Sequence, residues 1–281
     1  MQKIALIVDS ACDLSLETIK EKKINLLPLR VSYSHGEYRD KVEISADEIY
    51  INLEKEIPKT SLPSAEDLEN ILVSLEKDGY THVIAVTISS GLSGTFNSIR
   101  LALEDHPNLI SHVFDTKILA MPEGIVALEV ANLINSGKSF EEIVDSIPTI
   151  RKNITGYFTV NTLEYLKKGG RIGKIAGTIG DMLNLKPIVS VDENGVYYTV
   201  CKARGRKQSI VKLTGILKEA LAEGPCNVWV LHAGVLEEAK GFLESIKHLD
   251  NILSIDISQI SPALGVHGGP SLLGLAIQRV N

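Results

Sequence analysis

The chain has 281 residues, 44% of them hydrophobic, with 35 acidic against 29 basic side chains and a formal net charge of −6. That length exceeds one comfortable core and favours two domains able to enclose a cleft, while the acidic balance, with no basic run interleaved with aromatics, argues against a nucleic-acid partner. Three cysteines, Cys12, Cys201 and Cys226, lie far apart without C-x-x-C spacing, which excludes a disulfide framework or a zinc site and fits core thiols in a reducing cytoplasm.

The N-terminal apolar run meets Asp9 too early for a signal h-region, and no later run reaches membrane-spanning length, so the expectation is a soluble cytoplasmic protein without stable membrane insertion. Residues 3–8 read as a buried strand ending in Asp9-Ser10, and Asp13-Leu14-Ser15 caps a helix through about residue 22. A second strand is expected over 24–31, interrupted by Pro28 and therefore at a sheet edge. Ser45 with Glu48 forms a capping box for a helix to about residue 54. Lys59-Thr60-Ser61-Leu62-Pro63-Ser64 then reads as a hydroxyl-rich turn; Ser64 serves as the next cap, whereas Thr60 and Ser61 are candidate ligand donors.

The stretch 81–100, THVIAVTISSGLSGTFNSIR, joins a strand over 82–88 to a helix over 95–105 through a loop of serines and glycines. Gly91 and Gly94 permit φ > 0 and close backbone approach, and Ser89, Ser90, Ser93 and Thr95 bring hydroxyls to a helix N-terminus, where an anion is favoured. The same residues would serve as an ordinary cap and turn, and from the loop alone both readings stand. A strand over 110–114 and helices over 123–136 and 139–152 follow, the second opened by the box Ser139 with Glu142. This β-α-β-α order predicts an α/β layer with a mainly parallel sheet, whose ligands sit beyond the carboxyl ends of the strands.

Beyond about residue 153 the pattern changes. A strand over 155–160, a helix ending in Lys167-Lys168-Gly169-Gly170-Arg171 and a helix over about 174–184 precede a hairpin of 186–191 with 195–201 around Asn194-Gly195. A helix over 208–222, a strand over 227–232, a helix over 235–247 and a strand over 252–257 complete an α+β half, giving expected domains 1–152 and 153–281. The tail SPALGVHGGPS reads as a glycine-rich turn before a short final helix or strand, with His267 the histidine most suited to function.

DSACDL at 9–14, TSLPS at 60–64, SSGLSGTFNS at 89–98, LKKGGRI at 166–172, ARGRK at 203–207 and SPALGVHGGP at 261–270 resemble, in order and spacing, the motifs of the DegV family across nearly the whole chain. The resemblance implies a non-enzymatic two-domain protein that holds one long-chain fatty acid, such as palmitate, stearate or oleate, in a ligand tunnel between the two domains, and needs no cofactor. It further implies a FakB-type role, presenting the acyl chain to the catalytic subunit of a fatty acid kinase, which makes acyl phosphate for phospholipid synthesis. Carried over residue by residue, Thr60, Ser93 and His267 would hold the carboxylate, with Ser61, Gly94 and Thr95 as further headgroup contacts, while Arg171 and Arg204 match arginines that present the headgroup to the kinase. The chain departs from the common pattern at Leu62, where Gln is frequent, and at Pro270-Ser271, near the usual second glycine of the turn.

Elementary energetics agree: a carboxylate in an apolar cleft requires several donors, and about 15 buried methylenes at about 0.8 kcal/mol each contribute about 12 kcal/mol gross. Ile118, Leu119 and Met121 are candidate tunnel residues. The rival reading is an acyl hydrolase with Ser93 as nucleophile, but Gly91-Leu92-Ser93-Gly94-Thr95 lacks the last glycine of a nucleophile elbow. Gly173-Lys174-Ile175 lacks the hydroxyl of a P-loop, and the dispersed histidines make no metal motif.

Overall fold

The computed structural model describes residues 2–177 and 185–280. A four-stranded sheet, wholly parallel, has the order Asn25–Leu27, Ile4–Asp9, His82–Thr87, Ile110–Asp115. Its central strands are apolar on both faces because both are covered. Leu6, Val8, Ile84 and Val86 pack toward the helix Met121–Asn135, whereas Ala5, Ile7, Val83 and Ala85 pack toward the helices Ala65–Lys77 and Thr95–Ala102.

A six-stranded mixed sheet has the order Tyr197–Arg204, Leu185–Val191, Ile154–Thr159, Leu273–Arg279, Cys226–His232, Ile252–Gln259. One face is covered by the helices Gly205–Glu223 and Leu236–Ile246 through Leu213, Leu217, Phe242 and Ile246. The other contributes Ile154, Leu231 and Ala276 to the core of the helix Met121–Asn135, which is thus layered between two sheets. Residues 121–127 of that helix are all buried, as its lack of an amphipathic stripe requires. A small antiparallel sheet, Gly36–Arg39, Arg30–Tyr33, Lys59–Ser61, lies beside these layers.

The fold is the expected α/β class with a parallel layer and a separate mixed sheet, and four local readings are corrected. The strand expected over 24–31 is two strands in different sheets, Asn25–Leu27 and Arg30–Tyr33, because Pro28 withdraws a donor and turns the chain. Thr60 and Ser61 lie on a short strand instead of a turn. Neither Gly91 nor Gly94 has positive φ. The tail forms a helix, Pro262–Gly268, followed by an interior strand, Leu273–Arg279, so His267 is helical. Of the helix expected over 174–184, Gly173–Ile175 is a 3₁₀ turn, and 178–184 lie outside the described residues.

Glu123, in the first turn of Met121–Asn135, is fully buried, and neither carboxyl oxygen has a hydrogen-bond partner. Burial, with Asp9, Cys12 and Asp13 nearby, raises its pKa well above the ordinary 4.5. The folded protein therefore keeps a proton that the unfolded chain releases above about pH 4.5, and stability falls as pH rises beyond that point. Denaturant unfolding of Glu123→Gln beside the wild type at pH 5 and pH 8 should show the variant gaining relative stability at the higher pH. Parallel profiles would mean an ionised, compensated carboxylate.

Candidate functional site

The loop after His82–Thr87 is fixed from below by Asp9, whose Oδ2 accepts the Ile88 N–H at 2.8 Å. From above it is met by the hairpin of the mixed sheet: Ser89 Oγ donates to the Gly195 carbonyl at 2.8 Å. Gly195 has φ +73°, and a Cβ there would fall 1.8 Å from Ser89 Oγ, so glycine is required on both counts. Ser89 is thus a structural clasp, and Ser90 accepts from Lys117 Nζ at 2.8 Å. Ser93 and Thr95 pair through their hydroxyls at 2.9 Å, and Ser93 Oγ accepts the Thr95 N–H at 3.4 Å. The loop hydroxyls therefore divide between fastening and facing a cavity.

That cavity, about 200 Å³, is lined by Thr60, Ser61, Ser93, Arg171 and His267 together with Leu62 and other apolar side chains. Thr60 Oγ1 lies 2.7 Å from His267 Nε2. Arg171 donates through Nε to the Leu92 carbonyl at 3.3 Å and through Nη1 to the Gly169 carbonyl at 2.8 Å, and it forms no ion pair among the described residues. An unneutralised guanidinium beside several hydroxyls makes the pocket a place for an anion.

Burial pushes the His267 imidazole down to about 4, and the Arg171 charge adds to the shift. Its ring stands against the Gly169 backbone, where any Cβ would fall 2.1 Å from Nδ1. His267 is therefore neutral at neutral pH, with one donor and one acceptor nitrogen.

Leu119, Tyr197 and Leu264 line this cavity and also a second, narrower and almost wholly apolar one of about 50 Å³. The second runs past Phe158 and Leu166 to Pro122, Gly156 and Ser190, whose hydroxyl is turned away to the Gly156 carbonyl at 2.8 Å. A cavity that carries hydroxyls, a guanidinium and an imidazole thus adjoins an almost wholly apolar one across three shared side chains, an arrangement that suits an amphiphile with a small anionic head.

Of the residues singled out from sequence, Thr60, Ser61, Ser93, Arg171 and His267 converge. Gly94 instead packs beside Leu62, and Thr95 reaches the site only through Ser93. Arg204 is exposed at the junction of Tyr197–Arg204 with the following helix, its N–H donated to Gln208 Oε1 at 3.2 Å, and does not line the cavity. Ile118 and Leu119 line the apolar slot, whereas Met121 belongs to the core and its neighbour Pro122 lines the slot. Tyr197, Phe158 and Leu264 were not anticipated, because each looks like any core residue in sequence. No local signal marks Asp40, which together with Asp13 holds the start of the His267 helix.

Comparison with known proteins finds a family model described as "Uncharacterised protein, DegV family" matching residues 3–280. The chain is 49% identical over 279 residues to a DegV domain-containing protein of Clostridium perfringens, covering 99% of each. It superposes on the crystal structure of DegV, a fatty acid binding protein from Bacillus subtilis, with TM-score 0.91 at 30% identity, covering 100% of both chains. A stearic acid-binding protein from Eubacterium ventriosum gives TM-score 0.87 at 30% identity, over 99% of this chain and 98% of that one.

In a pH titration followed by NMR, the His267 ring should stay neutral from pH 8 to pH 5 and take its proton near pH 4. Because the folded value lies below the ordinary 6.5, the unfolded chain binds the proton first, and the residue's contribution to stability is lost as pH falls from 6.5 toward 4. A midpoint at or above 6.5 would contradict the buried, neutral assignment.

Proposed function

Because the chain belongs to the DegV family, we propose that it binds one long-chain fatty acid, with the carboxylate among Thr60, Ser93 and His267 and the acyl chain in the apolar slot. The observation that carries this reading is the convergence of those three side chains and of Arg171, which forms no ion pair among the described residues, on one cavity that shares Leu119, Tyr197 and Leu264 with an apolar one. With its proton on Nε2, His267 donates to Thr60 Oγ1 and frees the Thr60 hydroxyl to donate to the carboxylate. Ser93 supplies a second donor, and Arg171 lowers the cost of bringing a negative charge out of water.

The protein in this reading is a binder and presenter, not a catalyst. The hydrolase alternative would need Ser93 on the imidazole, but His267 Nε2 is paired with Thr60 Oγ1, and Ser93 Oγ, which keeps its own proton for a carboxylate when Thr95 donates, pairs with Thr95 instead. Exposed Arg204 suits contact with a fatty acid kinase that converts the carboxylate to acyl phosphate, and Arg171 at the mouth would serve both headgroup and kinase. A cytoplasmic site of action belongs to the same proposal; among the described residues no helix is long and apolar enough to cross a membrane. The division into domains 1–152 and 153–281 is likewise proposed, supported by the change from the parallel to the mixed sheet between Ile110–Asp115 and Ile154–Thr159.

Organic extraction of the purified protein followed by mass spectrometry should release near-stoichiometric fatty acid. An empty protein that also refuses added palmitate and oleate would return the hydrolase reading for assay. Ser93→Ala should weaken palmitate binding about 10- to 100-fold, the usual worth of a hydrogen bond to a charged group, with folding intact. Arg204→Ala should keep lipid bound while lowering acyl phosphate formation by the kinase, and loss of lipid would overturn that division of roles.

A further inference from the structure

The helix Pro262–Gly268, which carries His267 in its last turn, is not held by its own N-cap: the Ser261 side chain makes no capping bond. Two fully or almost fully buried carboxyls from the other end of the chain take its first N–H groups. Asp13 Oδ1 accepts from Ser261 N at 2.8 Å and Asp40 Oδ1 from Ala263 N at 2.9 Å. The Asp40 carboxyl is itself fixed, whereas Asp13 Oδ2 is buried without a hydrogen-bond partner among the described residues. Asp40 Oδ2 accepts from Ser10 Oγ at 2.5 Å, and Ser10 Oγ in turn accepts the Leu29 N–H at 3.0 Å. Asp13 sits at φ +56°, a left-handed conformation that a non-glycine residue keeps only where its surroundings demand it.

We propose that Asp13 and Asp40 are positioning residues of the anion site, setting the height and rotation of this helix so that His267 Nε2 meets Thr60 Oγ1. The lever is short. Each residue of helix contributes about 1.5 Å of rise and about 100° of rotation, so a slip by one residue at Ser261 and Ala263 carries the imidazole off its hydroxyl partner. The rest of the helix is guided but not indexed: Tyr50 Oη donates to the Ile260 carbonyl at 3.1 Å, its ring lies against Gly265, and Gly169 backs the His267 ring. These contacts hold the helix sideways, whereas among the described residues the two carboxyls are the side chains that grip the N–H groups at its start along the axis. A plain fold-holding role would make the carboxyls independent of His267; positioning makes them act through it.

The proposal rests on the fatty-acid reading of the cavity, and a double-mutant cycle with palmitate as ligand tests it. Asp40→Ala and His267→Gln should each weaken palmitate about 10-fold, and the double variant should bind no more weakly than His267→Gln alone. Asp13→Ala should behave in the same way, and Asp13→Asn and Asp40→Asn, which keep an acceptor oxygen, should recover binding to within about threefold of wild type. Losses that multiply in the double variants, or wild-type affinity in folded Asp→Ala variants, would overturn the proposal. Should the alanine variants fail to fold, Asp13→Ser and Asp40→Ser, too short to reach the N–H groups, carry the same cycle. A readout without lipid separates this proposal from the ligand reading: the His267 ring nitrogen shifts of the free protein should move in the Asp→Ala or Asp→Ser variants. Unchanged shifts refute positioning whatever the protein binds, whereas a wild type that refuses palmitate refutes only the ligand reading.

Discussion

The joint on which the molecule depends is a set of buried carboxyls that accept hydrogen bonds from distant backbone. Asp9 takes the N–H groups of Ala11 and Ile88, Asp13 that of Ser261, and Asp40 that of Ala263. These bonds reinforce the pairing of the first strand with the strand that leads into the serine loop, and they join both to the His267 helix, which belongs to neither. Burial raises Asp9 and Asp13 to about 7 and Asp40 to about 6, so the group holds fewer negative charges near neutrality than its composition implies. A protonated carboxyl keeps one carbonyl oxygen as acceptor. Asp13, which accepts at a single oxygen, therefore holds its bond in either form, whereas Asp9 and Asp40 accept at both oxygens and hold both bonds fully only when ionised. The same partial neutralisation limits the repulsion that an incoming anion would meet.

Above this joint the proposed headgroup site uses weak, neutral donors and one cation set to the side. Such an arrangement holds a carboxylate without sequestering it behind a tight ion pair, which suits a group that another protein must reach. Orientation comes from the head and affinity from the tail, since each buried methylene contributes about 0.8 kcal/mol. The aliphatic and aromatic walls of the slot, drawn from the mixed sheet, from residues 118–120 beyond the last strand of the parallel sheet and from the His267 helix, make that burial a property of the assembled molecule.

Much of this was legible in the chain. The buried strand at His82–Thr87, the capping boxes Ser45 with Glu48 and Ser139 with Glu142, and the hairpin at Asn194-Gly195 follow from local rules and stand in the structure. What escaped was decided by pairing at long range. Thr60 is extended because Val31 lies opposite it, and Leu273–Arg279 is a strand because Ile154–Thr159 and Cys226–His232 leave a gap between them. His267 was recognisable as a candidate from its glycine-rich setting, but its helical backbone was not, since the carboxyl acceptors that stabilise that helix's start belong to residues 13 and 40. The apolar slot was the least legible part, because a leucine that lines a cavity and one that fills a core have the same sequence signature.

The place of Leu273–Arg279 within the mixed sheet bears on how the chain is made. Ile154–Thr159 and Cys226–His232 do not pair with each other; each pairs with this later strand. On the ribosome both must wait with open edges until residues 273–279 emerge, by which time the segment bearing His267 has also been synthesised. Strand edges left unpaired are templates for intermolecular association, so a nascent chain at this stage is the form most in need of chaperone protection. Sheet closure and assembly of the cavity at His267 are consequently one late event of biosynthesis, and a chain that has not finished folding has no formed pocket in which to trap a ligand.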